Sequence, residues 1–147
     1  MKRFWFGPEK VMQLRKFKEE ECKLALGQAV SVLNMIENKI KETAVKRHNA
    51  ALRRFADIGE TNAWEKYIMR LDQEAQQLTE KAAQAEIVVE EKRALYLEAQ
   101  KDLKIMEKLK EKRQKEYRKE MLDYEMNEVD DITSARFTRN LQLGADN

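Results

Sequence analysis

Apolar positions in the second half of the chain recur in alternating steps of four and three. From Trp64 the row runs through Ile68, Leu71, Ala75, Leu78, Ala82, Ala85, Val89, Lys92, Tyr96, Ala99, Leu103, Met106 and Lys110. Twelve of these fourteen positions are apolar or aromatic, and the repeat lasts more than six heptads. Such a row stays on one line of a helix and faces a partner, so it predicts a coiled-coil seam. Ala75, Ala82, Ala85 and Ala99 are small, which lets the partner helix approach closely there.

The first half is less regular. An eleven-residue step picks out Val11, Cys22, Leu33, Ala44 and Phe55, and parallel rows give Leu14, Ala25 and Ile36, then Ala29, Ile40 and Ala51. Seven-residue rows such as Leu26, Leu33 and Ile40 coexist with them. Eleven- and seven-residue periods favour supercoils of opposite hand, so the hand stays open.

Pro8 is the only proline and suits the first position of a helix, where its missing N–H has no partner to lose. Nothing breaks the pattern again until Asp57-Ile58-Gly59. Gly59 there suits a left-handed C-terminal cap. Asn62 offers an N-cap oxygen with Glu65 three residues on, a variant of the capping box. A connection this short makes its two helices antiparallel neighbours. The expected fold is therefore all-α: a long two-helix antiparallel coiled-coil hairpin, with helices over 8–56 and 62–130 and a turn over 57–61. Residues 1–135 form a single domain in this reading, and 136–147 a flexible tail.

The turn sets the register, with Phe55 facing Trp64, Leu33 near Ala85 and Val89, and Val11 near Met106 and Lys108. At 1.5 Å per residue the helices would be about 70 Å and about 100 Å long, so the second outruns the first beyond residue 112 or so. Tyr117, Met121, Leu122, Tyr124, Met126 and Val129 lie in that overhang. Either Phe4, Trp5 and Phe6 fold over them, or they stand as binding surface.

Composition supports the helical reading. Charged residues make up 38% of the 147 positions, with 4 glycines and 1 proline, which is a long-helix profile. No stretch approaches the roughly 18 unbroken apolar residues of a membrane span, and the basic N-terminus lacks the apolar core of a signal peptide. The one cysteine, Cys22, cannot form an internal disulfide, and a reducing cytoplasm is the plain expectation. Net charge is only +2, but its distribution is uneven. Residues 1–18 carry six basic groups and one acid, and residues 101–119 carry nine and four. Residues 120–131 then carry six acids and no base.

Catalytic patterns do not assemble. Four scattered glycines, Gly7, Gly27, Gly59 and Gly144, make no phosphate loop. His48 is the only histidine and has no triad or metal spacing around it, and Cys22 lies on an apolar row as a packed thiol. Acidic pairs abound, yet a two-helix hairpin offers no pocket to split their pKa values for acid–base work. The expectation is a protein that is not an enzyme and holds no cofactor or metal.

Three stretches together resemble the FliJ family of flagellar type III export proteins. Phe4-Trp5-Phe6-Gly7-Pro8-Glu9-Lys10-Val11-Met12-Gln13-Leu14-Arg15-Lys16 is similar to that family's aromatic opening followed by "VLxLR". Trp64-Glu65-Lys66-Tyr67-Ile68-Met69-Arg70-Leu71 follows the turn. The run from Leu103-Lys104-Ile105-Met106-Glu107-Lys108-Leu109-Lys110-Glu111-Lys112-Arg113 to Glu128-Val129-Asp130-Asp131 is similar to its "LEKLKEKR…E…DE" ending. Gly7-Pro8 departs from the usual opening, and Tyr124-Glu125-Met126-Asn127-Glu128 lacks the usual "E-Q-K" run.

The resemblance implies a non-enzymatic stalk of the export apparatus, lodged as one copy in a hexameric flagellar export ATPase. It would promote ring assembly and activity, link the ring to the cytoplasmic domain of the export gate and escort export chaperones. Its place would be the cytoplasm, at the membrane face of the flagellar basal body, without membrane insertion. Lys2, Arg3, Arg15, Lys108, Lys112, Arg113 and Arg118 are the expected ring-binding residues, gathered near one end by the antiparallel register. Tyr67 and Leu71, spaced i, i+4, match the aromatic and leucine with which that family contacts the gate. Leu71 is also a seam residue, whereas Tyr67 is off the seam and expected to be more exposed.

Two other classes remain open. One is a stalk or scaffold of another rotary ATPase or of a virulence-type secretion system, with the same fold and a different ring. The other is a nucleic-acid-binding coiled coil using residues 101–119. There Asp102, Glu107, Glu111 and Glu116 interrupt the basic groups, whereas phosphate binding prefers unbroken positive surface.

Overall fold

The structure, a computed structural model, describes residues 3–145. Helix α1 spans Glu9–Ala56, a 3₁₀ turn spans Ile58–Glu60, and helix α2 spans Thr61–Ala145. The two helices pack against each other as an antiparallel hairpin, and no strand occurs among the described residues. Their contacts fall into two units: one comprises Arg15–Lys101, the other the chain start through Leu14 with the part of α2 from Asp102 onward.

In the unit Arg15–Lys101 the α2 seam is the one expected. Every position of the row from Trp64 to Ala99 is buried or half-buried, with Leu71, Leu78, Val89 and Ala99 the most enclosed. Ion pairs Arg47–Asp72 and Arg54–Glu65 bridge the helices in the expected register. All four side chains are substantially exposed, so each pair contributes at most about 1 kcal/mol and reports the register more than it holds it.

The first helix corrects the eleven-residue reading. Its seam runs through Arg15, Glu19, Cys22, Leu26, Ala29, Leu33, Ile36, Ile40, Thr43 and Ala50, again in steps of four and three when Arg47 is counted, with Met12, Ala25, Val30, Ala51 and Arg54 half-buried on its flanks. The ends of the eleven-residue row point outward: Val11 and Ala44 are exposed, and Phe55 is 73% exposed instead of facing Trp64. Arg53 takes that place, its guanidinium 5.7 Å from the Trp64 ring, while Arg54 lies 4.9 Å over Phe55. Thr43 is buried in the seam, and its hydroxyl donates to the Lys39 carbonyl at 2.9 Å, so no polar group is stranded there.

The turn also differs in chemistry. Gly59 has no positive φ, so it makes no left-handed cap. The Glu60 N–H donates to the Asp57 carbonyl at 3.2 Å to close a 3₁₀ turn, and the Thr61 hydroxyl donates to the Ile58 carbonyl at 2.9 Å. Asn62 therefore lies inside α2 instead of capping it. At the other end of α1, Pro8 precedes the helix, and its carbonyl accepts the first helical bond from the Met12 N–H at 2.9 Å.

In the second unit α2 does not stop near residue 130 but continues to Ala145, through the stretch expected to be a flexible tail. No proline follows Pro8, and no glycine follows Gly59 until Gly144, so nothing local ends the helix. Phe6 is buried at 5% exposure, and Phe4 stacks on Tyr117 with centroids 5.4 Å apart. Trp5 points away at 82% exposure, its ring lying over Gly7. A Cβ at Gly7 would come within 3.3 Å of that ring, a closer approach than carbon atoms usually make. Two of the three N-terminal aromatics thus fold over α2 as far as Tyr117. Leu122, Tyr124, Met126 and Val129 stay exposed.

Candidate functional site

Two places carry the expected functional residues. The first is the unit that joins the chain start to α2 beyond Asp102. Glu9 and Lys110 form an ion pair at 3.1 Å between α1 and α2, each partly shielded. The Arg113 guanidinium lies 5.5 Å from the Phe6 ring, and Phe4 packs on Tyr117 one turn further on. Lys110, Arg113 and Tyr117 follow steps of three and four, so one side of α2 receives Phe4, Phe6 and Glu9.

This clasp brings Arg3 and Arg113 to one open cleft, lined also by Phe4, Trp5, Glu116, Tyr117 and Glu120. Lys108, Lys112 and Arg118 are exposed on α2 within the same unit. Arg15 falls in the other unit and is half-buried. Lys2 lies outside the described residues. Of the seven residues, five therefore share one unit: Arg3, Lys108, Lys112, Arg113 and Arg118. The structure adds the ion pair of Glu9 with Lys110 and the aromatic pair of Phe4 with Tyr117, which hold the arm in place. The alternation Phe4-x-Phe6 was their sequence signal: in an extended segment, side chains two apart share a side.

The second place is the start of α2. Leu71 is 4% exposed and belongs to the seam. Tyr67 is half-buried, more exposed than Leu71 as its place off the seam leads one to expect. Its ring meets Trp64 edge-on at 6.1 Å, and the Arg70 guanidinium lies 5.8 Å from it. The angular step from Trp64 to Tyr67 explains the half-burial, because residues three apart are neighbours on a helix and Tyr67 shares the flank of a seam residue. Tyr67 and Trp64 line a cleft with Lys46, Asn49, Ala50 and Arg53. Among the described residues the Trp64 Nε1–H finds no acceptor although it is enclosed. Trp64 and Arg53 thus join Tyr67 at this place.

Among the described residues no three His, Cys, Asp or Glu side chains are placed to hold a metal ion. No described helix is long and apolar enough to cross a membrane. Both places carry aromatic faces beside cationic groups.

No curated protein and no solved structure matches the chain. A family model described as flagellar FliJ protein matches residues 9–142, which takes in all of α1 and nearly all of α2. The chain belongs to the FliJ family, and its role lies in the flagellar protein export apparatus as a coiled-coil component.

Proposed function

We propose that this chain is the non-enzymatic stalk of the flagellar export ATPase ring, promoting ring assembly and activity and linking the ring to the cytoplasmic domain of the export gate. One copy would serve each hexamer. It would work in the cytoplasm, at the membrane face of the basal body, and escort of export chaperones belongs to the same reading. The observation that carries the reading is the unit with both chain termini. There an aromatic clasp fixes the N-terminal arm against one side of α2, and Arg3, Lys108, Lys112 and Arg118 are exposed in the same unit. Such a unit presents positive charge on a defined surface, suited to acidic loops lining a ring pore.

Tyr67 and Leu71 are the proposed gate contacts, with Tyr67 the part that a partner can reach. Tyr and Trp beside Arg are the residue types that most often anchor interfaces, and Trp64, Tyr67 and Arg53 meet in one cleft.

The ring contact is tested with Lys108→Glu/Lys112→Glu. Arg113 is unsuitable because reversing it also removes the cation over Phe6. Both lysines are exposed, so helicity and melting should hold. Stimulation of the export ATPase by this variant should fall about tenfold, and wild-type stimulation should weaken with added salt because exposed charge contacts are screened. Full stimulation by the folded variant would remove this surface from the ring contact.

A further inference from the structure

The N-terminal arm occupies one side of α2. The opposite side carries a different pattern. At 3.6 residues per turn, Lys104, Lys108, Lys112, Lys115 and Lys119 fall within an arc of about 100°, and all five are exposed. The same strip runs on into Leu122, Met126 and Val129, each at least 60% exposed. Met106, Lys110 and Tyr117, on the side that receives the arm, lie across the helix from it. Three large apolar side chains in a row are left in water by a single copy.

The apolar part has acidic borders. Asp123 and Asp130 lie along one edge, and Glu125 along the other, with Glu128 beyond it. Residues 120–131 carry six acids and no base, whereas residues 110–121 carry six bases and three acids. A strip with a basic half and an acid-bordered apolar half complements itself when it is run backwards.

We infer that this strip is an isologous interface through which two copies of the chain associate, antiparallel, about a two-fold axis between Lys119 and Leu122. In that register Lys119, Lys115 and Lys112 of one copy lie opposite Leu122, Met126 and Val129 of the other. The lysine stems cover the apolar side chains while their ammonium groups reach the bordering carboxylates. The two-fold repeats the whole arrangement on the other half, as a closed dimer requires. A parallel pair sets both acidic segments side by side, which is unfavourable. An anionic membrane surface fits poorly as well, because the carboxylates that border the apolar strip would face its headgroups. The second copy alone supplies both halves of the match. The inference does not depend on the ATPase-ring reading.

Sedimentation of the full-length chain tests it. At tens of micromolar and low salt, the chain should show a monomer–dimer equilibrium that shifts toward monomer as salt is added. Lys115→Glu/Lys119→Glu should weaken association about tenfold, and so should Asp123→Lys/Glu125→Lys. All four side chains are exposed, so helix content should match the wild type by circular dichroism. At positions 115, 119, 123 and 125 the first variant then carries only acids and the second only lysines. An equimolar mixture of the two should therefore associate again, each basic half meeting an acidic one. A wild-type chain that stays monomeric at low salt overturns the inference. So does a dimer indifferent to both variants, or a mixture that fails to associate.

Discussion

Leu71 and Tyr67 stand one turn apart and differ in what their removal exposes. Leu71 is enclosed in the seam, and truncating such a residue costs about 2–4 kcal/mol through lost burial and the cavity left behind. Tyr67 keeps an edge-on contact with Trp64 but is only half-buried, and losing that contact costs about 1 kcal/mol. Leu71→Ala should therefore melt well below the wild type by circular dichroism, and Tyr67→Ala only slightly below it. If Tyr67 is a gate anchor, Tyr67→Ala should also weaken binding of the gate's cytoplasmic domain while the helices stay intact. Normal gate binding by that folded variant would end the assignment. Seam residues of α2 were legible in the sequence because nearly all are apolar. The half-burial of Tyr67 was not, since it depends on the flank of Trp64 and not on the repeat itself.

The same contrast separates the two helices. The α1 seam was hidden because Arg15, Glu19, Thr43 and Arg47 occupy seam positions. A two-helix pair tolerates them: long side chains lay their stems along the partner and keep their tips in water, and Thr43 bonds back to its own helix. With those positions read as polar, the remaining apolar residues fit an eleven-residue row of which only Cys22 and Leu33 lie in the seam. The turn was located correctly but its chemistry was not. A left-handed Gly59 would lose stability on gaining a side chain, whereas Gly59 here has ordinary φ and open space around its Cβ position. Gly27, inside α1, also has open space. Gly59→Ala and Gly27→Ala should each raise stability by about 0.5–1 kcal/mol, chiefly by restricting the unfolded chain. Thermal melts read the sign directly, and a lower melting temperature for Gly59→Ala would restore the left-handed cap.

At the scale of the whole molecule, the family match and the hairpin give the chain its place in flagellar export, while its contacts there are proposed from local surfaces. The unit with both termini carries the clasp, the basic residues and the self-complementary strip. Lys108 and Lys112 belong to both the ring reading and the strip, so a copy paired through the strip would have those lysines covered. Self-association and ring binding would then compete. The overhang of α2 was legible from the turn position and the two helix lengths. Its continuation to Ala145 was missed because a helix was expected to need a partner, whereas this segment has only the absence of breakers in its favour. The most direct test of the stalk reading is photo-crosslinking in the complex with the export ATPase. A crosslinking amino acid replaces exposed Lys112 in one variant and exposed Met69, near the turn, in another. The account predicts adducts with the ATPase from position 112 and none from position 69. Adducts from position 69, or none from position 112 while the ATPase is bound, would contradict it.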